Sequence, residues 1–85
     1  MSYQVLFTKR AVRDLETLPD QDRVRVAKRL EGLAKEPRPP GVTKLQGTED
    51  VYRMRVGDYR VLYIIEDDIV TVSVVRIGHR RDIYR

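Results

Sequence analysis

Hydrophobic residues follow a helical spacing in the first half of the chain and an alternating spacing in the second half. The segment from Tyr3 to Phe7 predicts a short strand, and the hydroxyl of Thr8 is placed to cap a following helix. Apolar residues then recur every three or four positions until Pro19 ends the run. These apolar positions are Ala11, Leu15 and Leu18. The pattern predicts a strand followed by an amphipathic helix.

A second amphipathic helix is predicted from about Gln21 to Lys35, with Asp20 as its N-cap. Its apolar stripe comprises Val26, Ala27, Leu30, Leu33 and Ala34. The next segment, EPRPPGVTK at 36–44, contains three of the four prolines and cannot continue a helix. We therefore expect a helical hairpin followed by a loop that leads to a sheet.

Three strand-like segments with alternating side chains fill most of the second half of the chain. They are Val51 to Val56, Tyr59 to Ile65, and Ile69 to Ile77. Tight turns at Gly57-Asp58 and Asp67-Asp68 join them as an antiparallel meander. The element order predicts a single α+β domain over residues 1–85, in which the N-terminal strand and the helical hairpin pack on the antiparallel β-meander.

A tight turn at Gly57-Asp58 decides which side chains share a face of this sheet. It places Arg55 opposite Arg60 and Met54 opposite Val61. One face then carries Tyr52, Met54, Val56, Tyr59, Val61, Tyr63, Val70, Val72 and Val74. The other carries Arg53, Arg55, Arg60, Leu62, Ile64, Thr71, Ser73 and Val75. The first face is apolar and predicts the core, and we call the second the arginine face.

Like charges that lie directly opposite each other on a sheet repel, so the Arg55 and Arg60 pair should cost roughly 0.2–1 kcal/mol. Either acidic neighbours or water compensate these charges, or the arginines form an anion site. Guanidinium groups on a rigid sheet suit a phosphodiester, whose charge is spread over several oxygens and increases in a pentacoordinate transition state. The arginine face is therefore a candidate phosphate site.

Composition narrows the chemistry available to such a site. Lysine and arginine number 17 against 13 acidic residues, and the net charge of +4 favours an anionic partner. The chain has no cysteine and one histidine, which excludes thiol catalysis and any credible metal site, and we expect the acidic residues 66–68 to form a solvated turn. No cofactor is expected. No segment is apolar enough to span a membrane, and we expect a cytoplasmic protein.

Three sequence blocks occur in a characteristic order: KLQG at 44–47, YRMRVGDYRVLY at 52–63 and VVRIGHRRDIYR at 74–85. With them the chain resembles the RelE-type toxins of the RelE/ParE superfamily over nearly its whole length. The resemblance implies two helices on an antiparallel sheet and an endoribonuclease that cuts mRNA in the ribosomal A site. It also implies a RelB-like antitoxin as partner, and a toxin–antitoxin complex that binds its own operator DNA.

The resemblance assigns site residues by position: Arg53, Arg55, Arg60, Arg80 and Tyr84 match functional positions of the family. The studied relatives have lysines at the first two positions, and lysine can exchange a proton where arginine stays charged. Arg53 and Arg55 are therefore expected to act as phosphate clamps, which leaves the general base unassigned.

Proton transfer falls to two further candidates, His79 and Tyr84. A histidine has the ordinary pKa closest to neutrality, whereas the tyrosine can also stack on an unpaired base. Lys44 and Arg81 are additional candidates for RNA binding. Without a metal, the adjacent 2′-OH is the expected nucleophile, and the products are a 2′,3′-cyclic phosphate and a 5′-OH.

Two other functions compete with this interpretation. A ParE-like toxin would inhibit DNA gyrase by binding and would cut no RNA. A basic RNA-binding module would bind without catalysis. Members of the ParE type tend to lack the joint set of Arg60, Arg80 and Tyr84, so its presence favours the nuclease.

Overall fold

The computed structural model describes residues 2–47 and 50–81. Within these ranges two helices pack on one face of a mixed sheet whose strand order is β1-β5-β4-β3-β2. The strands are β1 (Gln4–Phe7), β2 (Thr43–Lys44), β3 (Val51–Val56), β4 (Tyr59–Glu66) and β5 (Thr71–His79), and the helices are α1 (Lys9–Glu16) and α2 (Asp20–Gly32). The expected α+β fold is confirmed. None of the helices in this part of the chain is long and apolar enough to cross a membrane.

The sheet contains the predicted antiparallel meander and two additional edge strands. β3, β4 and β5 pair antiparallel in sequence order, and β1 lies parallel to β5 at one edge. At the other edge, the expected loop at 36–44 ends in the two-residue strand β2, which pairs with Tyr52 and Arg53 of β3. The short β2 leaves the remainder of the outer edge of β3 without a strand partner among the described residues.

The two helices begin in different ways. The Thr8 hydroxyl accepts a hydrogen bond from the Ala11 N–H at 3.1 Å, which confirms the predicted cap of α1. The prediction that Asp20 caps α2 is wrong, because Pro19 occupies the N-cap position and Asp20 lies inside the first turn. Its carboxylate pairs with Arg23 one turn later, where it also suits the positive end of the helix dipole.

The core lies between the helices and the predicted apolar face. Its fully buried residues on the sheet include Met54, Val56, Val61, Tyr63, Ile65, Val72, Val74 and Ile77. The helices contribute Ala11, Val26 and Leu30, and Leu18 and Leu33 follow directly after α1 and α2. The predicted pairing of Arg55 with Arg60 and of Met54 with Val61 is observed. The two faces of β3 and β4 are therefore confirmed.

The connection between β4 and β5 is longer than the predicted tight turn. A 3-10 turn spans Asp67–Ile69, and Val70 follows with a left-handed φ of 53°. Strand β5 therefore begins at Thr71 rather than Ile69, and Val70 belongs to the turn instead of the core face. The pairing of β4 with β5 is shifted by two residues from the predicted pairing, and a shift by an even number leaves each side chain on its predicted face. Val72 and Val74 are therefore buried as predicted.

A second irregularity in β5 exchanges the faces further along the strand. Tyr63 pairs with Val74, but Leu62 pairs with Arg76, so Val75 is an extra residue in the ladder. Beyond this bulge Ile77 points into the core. Arg76 lies opposite Leu62 on the arginine face, although the sequence analysis had not assigned it to this face.

The acidic turn at 66–68 is exposed as expected, and Asp67 in addition binds side chains of two other segments. Its carboxylate accepts hydrogen bonds from Arg38 Nη2 at 2.9 Å and from the Tyr3 hydroxyl at 2.6 Å. These contacts lower the pKa of Asp67, with Arg38 the larger cause. Arg38 also lies over the ring of Tyr52, 5.2 Å from its centroid. The polar cluster joins the start of β1 to the β4–β5 turn.

Asp14 of α1 connects the helix to the free edge of β5 beyond the bulge. β1 pairs with β5 as far as Val74, and further along the edge Asp14 Oδ2 accepts the backbone N–H of Ile77 at 2.9 Å. The same oxygen accepts from Arg76 Nε at 3.1 Å, although the Asp14 side chain is only 12% exposed. A side chain of α1 thus replaces the missing strand partner and fixes the orientation of Arg76.

We predict that Asp14→Ala lowers the free energy of unfolding by about 1–3 kcal/mol, because it leaves the Ile77 N–H and the Arg76 guanidinium unpaired. For a domain of this size the expected fall in melting temperature is roughly 5–20 °C. The matched control is Asp20→Ala, which removes a carboxylate that is 90% exposed and pairs only with its own helix. Thermal unfolding followed by circular dichroism measures both. Equal melting temperatures for the two variants would contradict the role of Asp14.

Candidate functional site

The arginine face is the side of the sheet opposite the helices. Across β3, β4 and β5 the register places Arg55, Arg60 and Gly78 in one row. The next row contains Arg53, Leu62 and Arg76. The core residues of the helices pack against the opposite face. The three arginines predicted to lie together are therefore brought together by the strand pairing.

The like-charge pair of Arg55 and Arg60 is not neutralised by any described acidic residue. Neither guanidinium forms an ion pair within residues 2–47 and 50–81, whereas Arg76 in the next row pairs with Asp14. The interpretation in which acidic neighbours compensate the charges therefore does not hold for these two residues in the described chain. An anion that binds between them would relieve the repulsion.

Gly78 and two aliphatic residues shape the surface around these charges. Gly78 lies opposite Arg60 and adds no side chain to this row. Leu62 and Ile64 are half-buried along the same face. The arrangement offers cationic donors beside an apolar surface, a combination that suits a phosphate group with an attached base.

His79 lies on the other face of the sheet. It pairs with Tyr59, whose ring packs on the helix side, and the two rings meet edge to face with centroids 5.8 Å apart. Its Nδ1 accepts a long hydrogen bond from the Arg81 N–H at 3.3 Å. The bulge causes this placement, since it exchanges the faces of the residues that follow it. The structure does not bring the imidazole to the arginine face.

Of the four remaining predicted residues, three lie within the described ranges. Arg80 and Arg81 are exposed after β5, and the Arg80 N–H donates to the Asp58 carbonyl at 2.9 Å. This bond holds the start of the C-terminal segment against the β3–β4 turn, next to the row that contains Arg60. Lys44 is exposed on β2 and pairs with Tyr52, which puts it on the helix side of the sheet edge. Tyr84 lies outside the described residues.

Two supports of the site were missed by sequence reasoning. Arg76 joins the arginine face through the bulge, for which no turn or glycine signal exists in VVRI. Tyr59 anchors the β3–β4 hairpin, because its hydroxyl donates to Asp22 Oδ2 of α2 at 2.9 Å. That carboxylate raises the pKa of Tyr59. The sequence had placed this tyrosine on the helix side of the hairpin, but it did not indicate the acidic partner, which lies 37 residues away.

Gly57 allows this hairpin to approach α2. Its φ of +60° is the left-handed conformation that the turn requires and that glycine adopts without strain. A β-carbon at this position would lie 3.0 Å from Nη1 of Arg25. The turn therefore contacts the side chain of Arg25 on α2, and it joins the strand ends that carry Arg55 and Arg60.

Comparison with known proteins agrees with this architecture. The family model for the ParE toxin of the type II toxin–antitoxin system parDE matches residues 5–84. Toxin RelG of Mycobacterium tuberculosis is 40% identical over 86 residues, which cover 100% of this chain and 99% of RelG. The mRNA interferase toxin RelE of Escherichia coli is 32% identical over 82 residues, which cover 94% of this chain and 85% of that toxin.

A solved structure shows the same fold. In the crystal structure of the archaeal RelE–RelB complex from Pyrococcus horikoshii, the matched chain has a TM-score of 0.84 and 33% identity, with coverage of 96% of this chain and 99% of that chain. The chain belongs to the ParE toxin family of type II toxin–antitoxin systems and, within the RelE/ParE superfamily, is a RelE-type toxin. The resemblance inferred from the three sequence blocks is confirmed.

Proposed function

We propose that this toxin is a ribosome-dependent endoribonuclease that cleaves mRNA in the A site. The observation that carries the proposal is the uncompensated pair of Arg55 and Arg60 on an open sheet face, with Arg53 in the adjoining row. A RelE-type relative named an mRNA interferase supports the same activity. Fixed cations of this kind suit a reaction in which negative charge accumulates on phosphate oxygens.

The proposed reaction uses the RNA itself as nucleophile. The 2′-oxygen attacks the neighbouring phosphorus, the bond from phosphorus to the 5′-oxygen breaks, and the products are a 2′,3′-cyclic phosphate and a 5′-OH. The proton of the 2′-OH must leave, and a proton must reach the departing 5′-oxygen. Arg53 and Arg55 hold the non-bridging oxygens, while Arg60 stabilises the additional charge of the phosphorane.

The roles proposed for the remaining residues follow from their positions relative to the arginine face. Arg80 lies at the strand end nearest Arg60 and is proposed as a further charge on the leaving side. Because the His79 ring faces Tyr59 on the opposite side of the sheet, proton transfer falls to Tyr84 or to a group of the ribosome. Arg81 and Lys44 are proposed to contact RNA outside the reaction centre, and the toxin is proposed to act as a single domain.

The proposed partner is a RelB-like antitoxin, as in the archaeal RelE–RelB complex. A partner that binds the folded toxin raises its stability by mass action, which matters for a small core. The complex is proposed to bind its own operator DNA. Action on translating ribosomes places the toxin in the cytoplasm.

Two alternatives have different outcomes in the same assay. Gyrase inhibition of the ParE type is not favoured, because both curated relatives described above are RelE-type toxins. Purified toxin added to ribosomes that translate a defined mRNA is expected to produce discrete A-site cuts when the mRNA ends are mapped by primer extension. Intact mRNA together with gyrase inhibition indicates the ParE activity, and RNA binding without cuts or gyrase inhibition indicates a binding module. Either result contradicts the proposal.

Arg60→Ala is predicted to lower single-turnover cleavage on these ribosomes by roughly 10²–10³-fold, the usual effect of losing one donor to a transition-state oxygen. The melting temperature should stay unchanged or rise slightly, since Arg55 loses a like-charge neighbour. Arg23→Ala on α2 is the matched control and should retain wild-type cleavage. Cleavage that survives Arg60→Ala would remove the central claim, and a large fall in melting temperature would make Arg60 a structural residue.

His79→Ala is predicted to slow the cleavage step by less than about tenfold and to leave its pH dependence near neutrality unchanged, because the imidazole does not lie on the arginine face. The measurement is single-turnover cleavage between pH 6 and 8. A general acid or base normally contributes about 10²–10⁴-fold. A loss of that size, together with a flattened pH profile, would assign proton transfer to His79 and require its ring to move to the arginine face.

A further inference from the structure

A basic groove lies at the outer edge of β3, beside the arginine face. It has a volume of about 360 Å³. Its lining residues are Arg29, Pro40, Gly41, Thr43, Arg53, Met54 and Arg55. Three of the seven are arginines and none is acidic. The groove therefore joins the arginine face to the exposed side of α2 through a positively charged surface.

The strand pairing directs a backbone donor into this groove. Antiparallel neighbours bond through alternate residues, and the Leu45 N–H donates to the Val51 carbonyl at 2.9 Å. Arg53 and Arg55 therefore direct their backbone groups to the same side as Val51. β2 begins at Thr43, opposite Arg53, so no residue of β2 lies opposite Arg55, and the Arg55 N–H faces the groove.

Arg29 supplies a side-chain donor from the opposite wall. It is exposed on α2 and forms no ion pair with any residue in the described ranges. Helix α2 forms the wall that carries Arg29, and the edge of β3 forms the facing wall. The groove therefore lies between two rigid elements. A backbone N–H, a guanidinium and the Thr43 hydroxyl are the donor types that proteins use for phosphate oxygens.

We propose that this groove is a second phosphate-binding site, which holds the RNA backbone next to the cleavage centre, with Arg29 as its main side chain. The inference rests on the proposed function, since it extends the RNA path from the arginine face around the edge of β3. The bound phosphate belongs either to the mRNA or to ribosomal RNA beside the A site. Both sources share the same chemistry.

A peptide strand is a poorer occupant than a phosphate. Strand addition needs several consecutive outward-facing backbone groups, as in other sheet-edge complexes. Between the end of β2 and the turn at Gly57, Arg55 is the one residue whose backbone faces outward. Gly41 and Pro40 line the remaining space. The edge is too short for a peptide strand, whereas a phosphate needs only a few convergent donors.

The test compares Arg29→Ala with Lys28→Ala, which removes the neighbouring cation from the same helix without altering the groove lining. The probe is a 5′-fluorescein single-stranded RNA of about twelve nucleotides, titrated with free toxin and followed by fluorescence anisotropy at several salt concentrations. Arg29→Ala should weaken binding roughly 5–10-fold and reduce the salt slope by about 0.7, the value for one phosphate contact on a single strand. Lys28→Ala should match the wild type, and Arg29→Lys should recover most of the binding.

A second arm measures binding to 70S ribosomes that carry mRNA with an empty A site. Weaker binding of Arg29→Ala to both probes assigns the phosphate to mRNA, and weaker binding to ribosomes alone assigns it to ribosomal RNA. Unchanged binding of Arg29→Ala to both probes contradicts the second phosphate site. Cleavage by the wild type is scored separately. If Arg29→Ala does not change binding while the wild type cleaves mRNA, the second site is wrong and the proposed function holds. If Arg29→Ala weakens RNA binding while the wild type does not cleave mRNA, the second site holds and the proposed function is wrong.

Discussion

A single extra residue in β5 determines which side chains reach each face of the sheet. Val75 has no partner in the ladder, so the alternation before it and after it is out of phase. Without it, Arg76 would point into the core and Ile77 into solvent, which would bury a charge and expose an aliphatic side chain. Asp14 stabilises the observed arrangement, because its carboxylate binds both the Arg76 guanidinium and the Ile77 N–H. The bulge and this carboxylate together define the C-terminal half of the site.

The parts of the fold that follow local rules could be predicted from the sequence. The pairing of Arg55 with Arg60 follows from a two-residue turn and a period of two, both of which are encoded within a dozen residues. The cap at Thr8 is equally local. The bulge, the pairing of Asp67 with Arg38 and the contact of Tyr59 with Asp22 depend on residues that are distant in sequence, and no local pattern encodes them. His79 shows the consequence, because the bulge determines which face of the sheet carries its ring.

The arginines at the two ends of the sheet differ in their polar contacts. At the end with the β4–β5 turn, Arg38 is satisfied by Asp67 and by the Tyr52 hydroxyl, the latter at 3.0 Å. At the end with the β3–β4 turn, Arg55 and Arg60 have no such carboxylate among the described residues. The same residue type therefore serves two purposes. Paired arginines join segments of the fold, whereas the unpaired ones keep their donors available for a ligand, at some cost in repulsion.

The parallel pairing of β1 with β5 also determines when the toxin can fold. The pairs join residues 4–7 to residues 71–74, so they close a loop that includes almost the whole chain. Contacts between such distant residues form slowly, and a nascent chain cannot make them until β5 has left the ribosome. β5 also supplies the central partner of β4 and the docking surface of α1. The toxin therefore acquires this five-stranded sheet, and with it its arginine face, only after β5 has been synthesised.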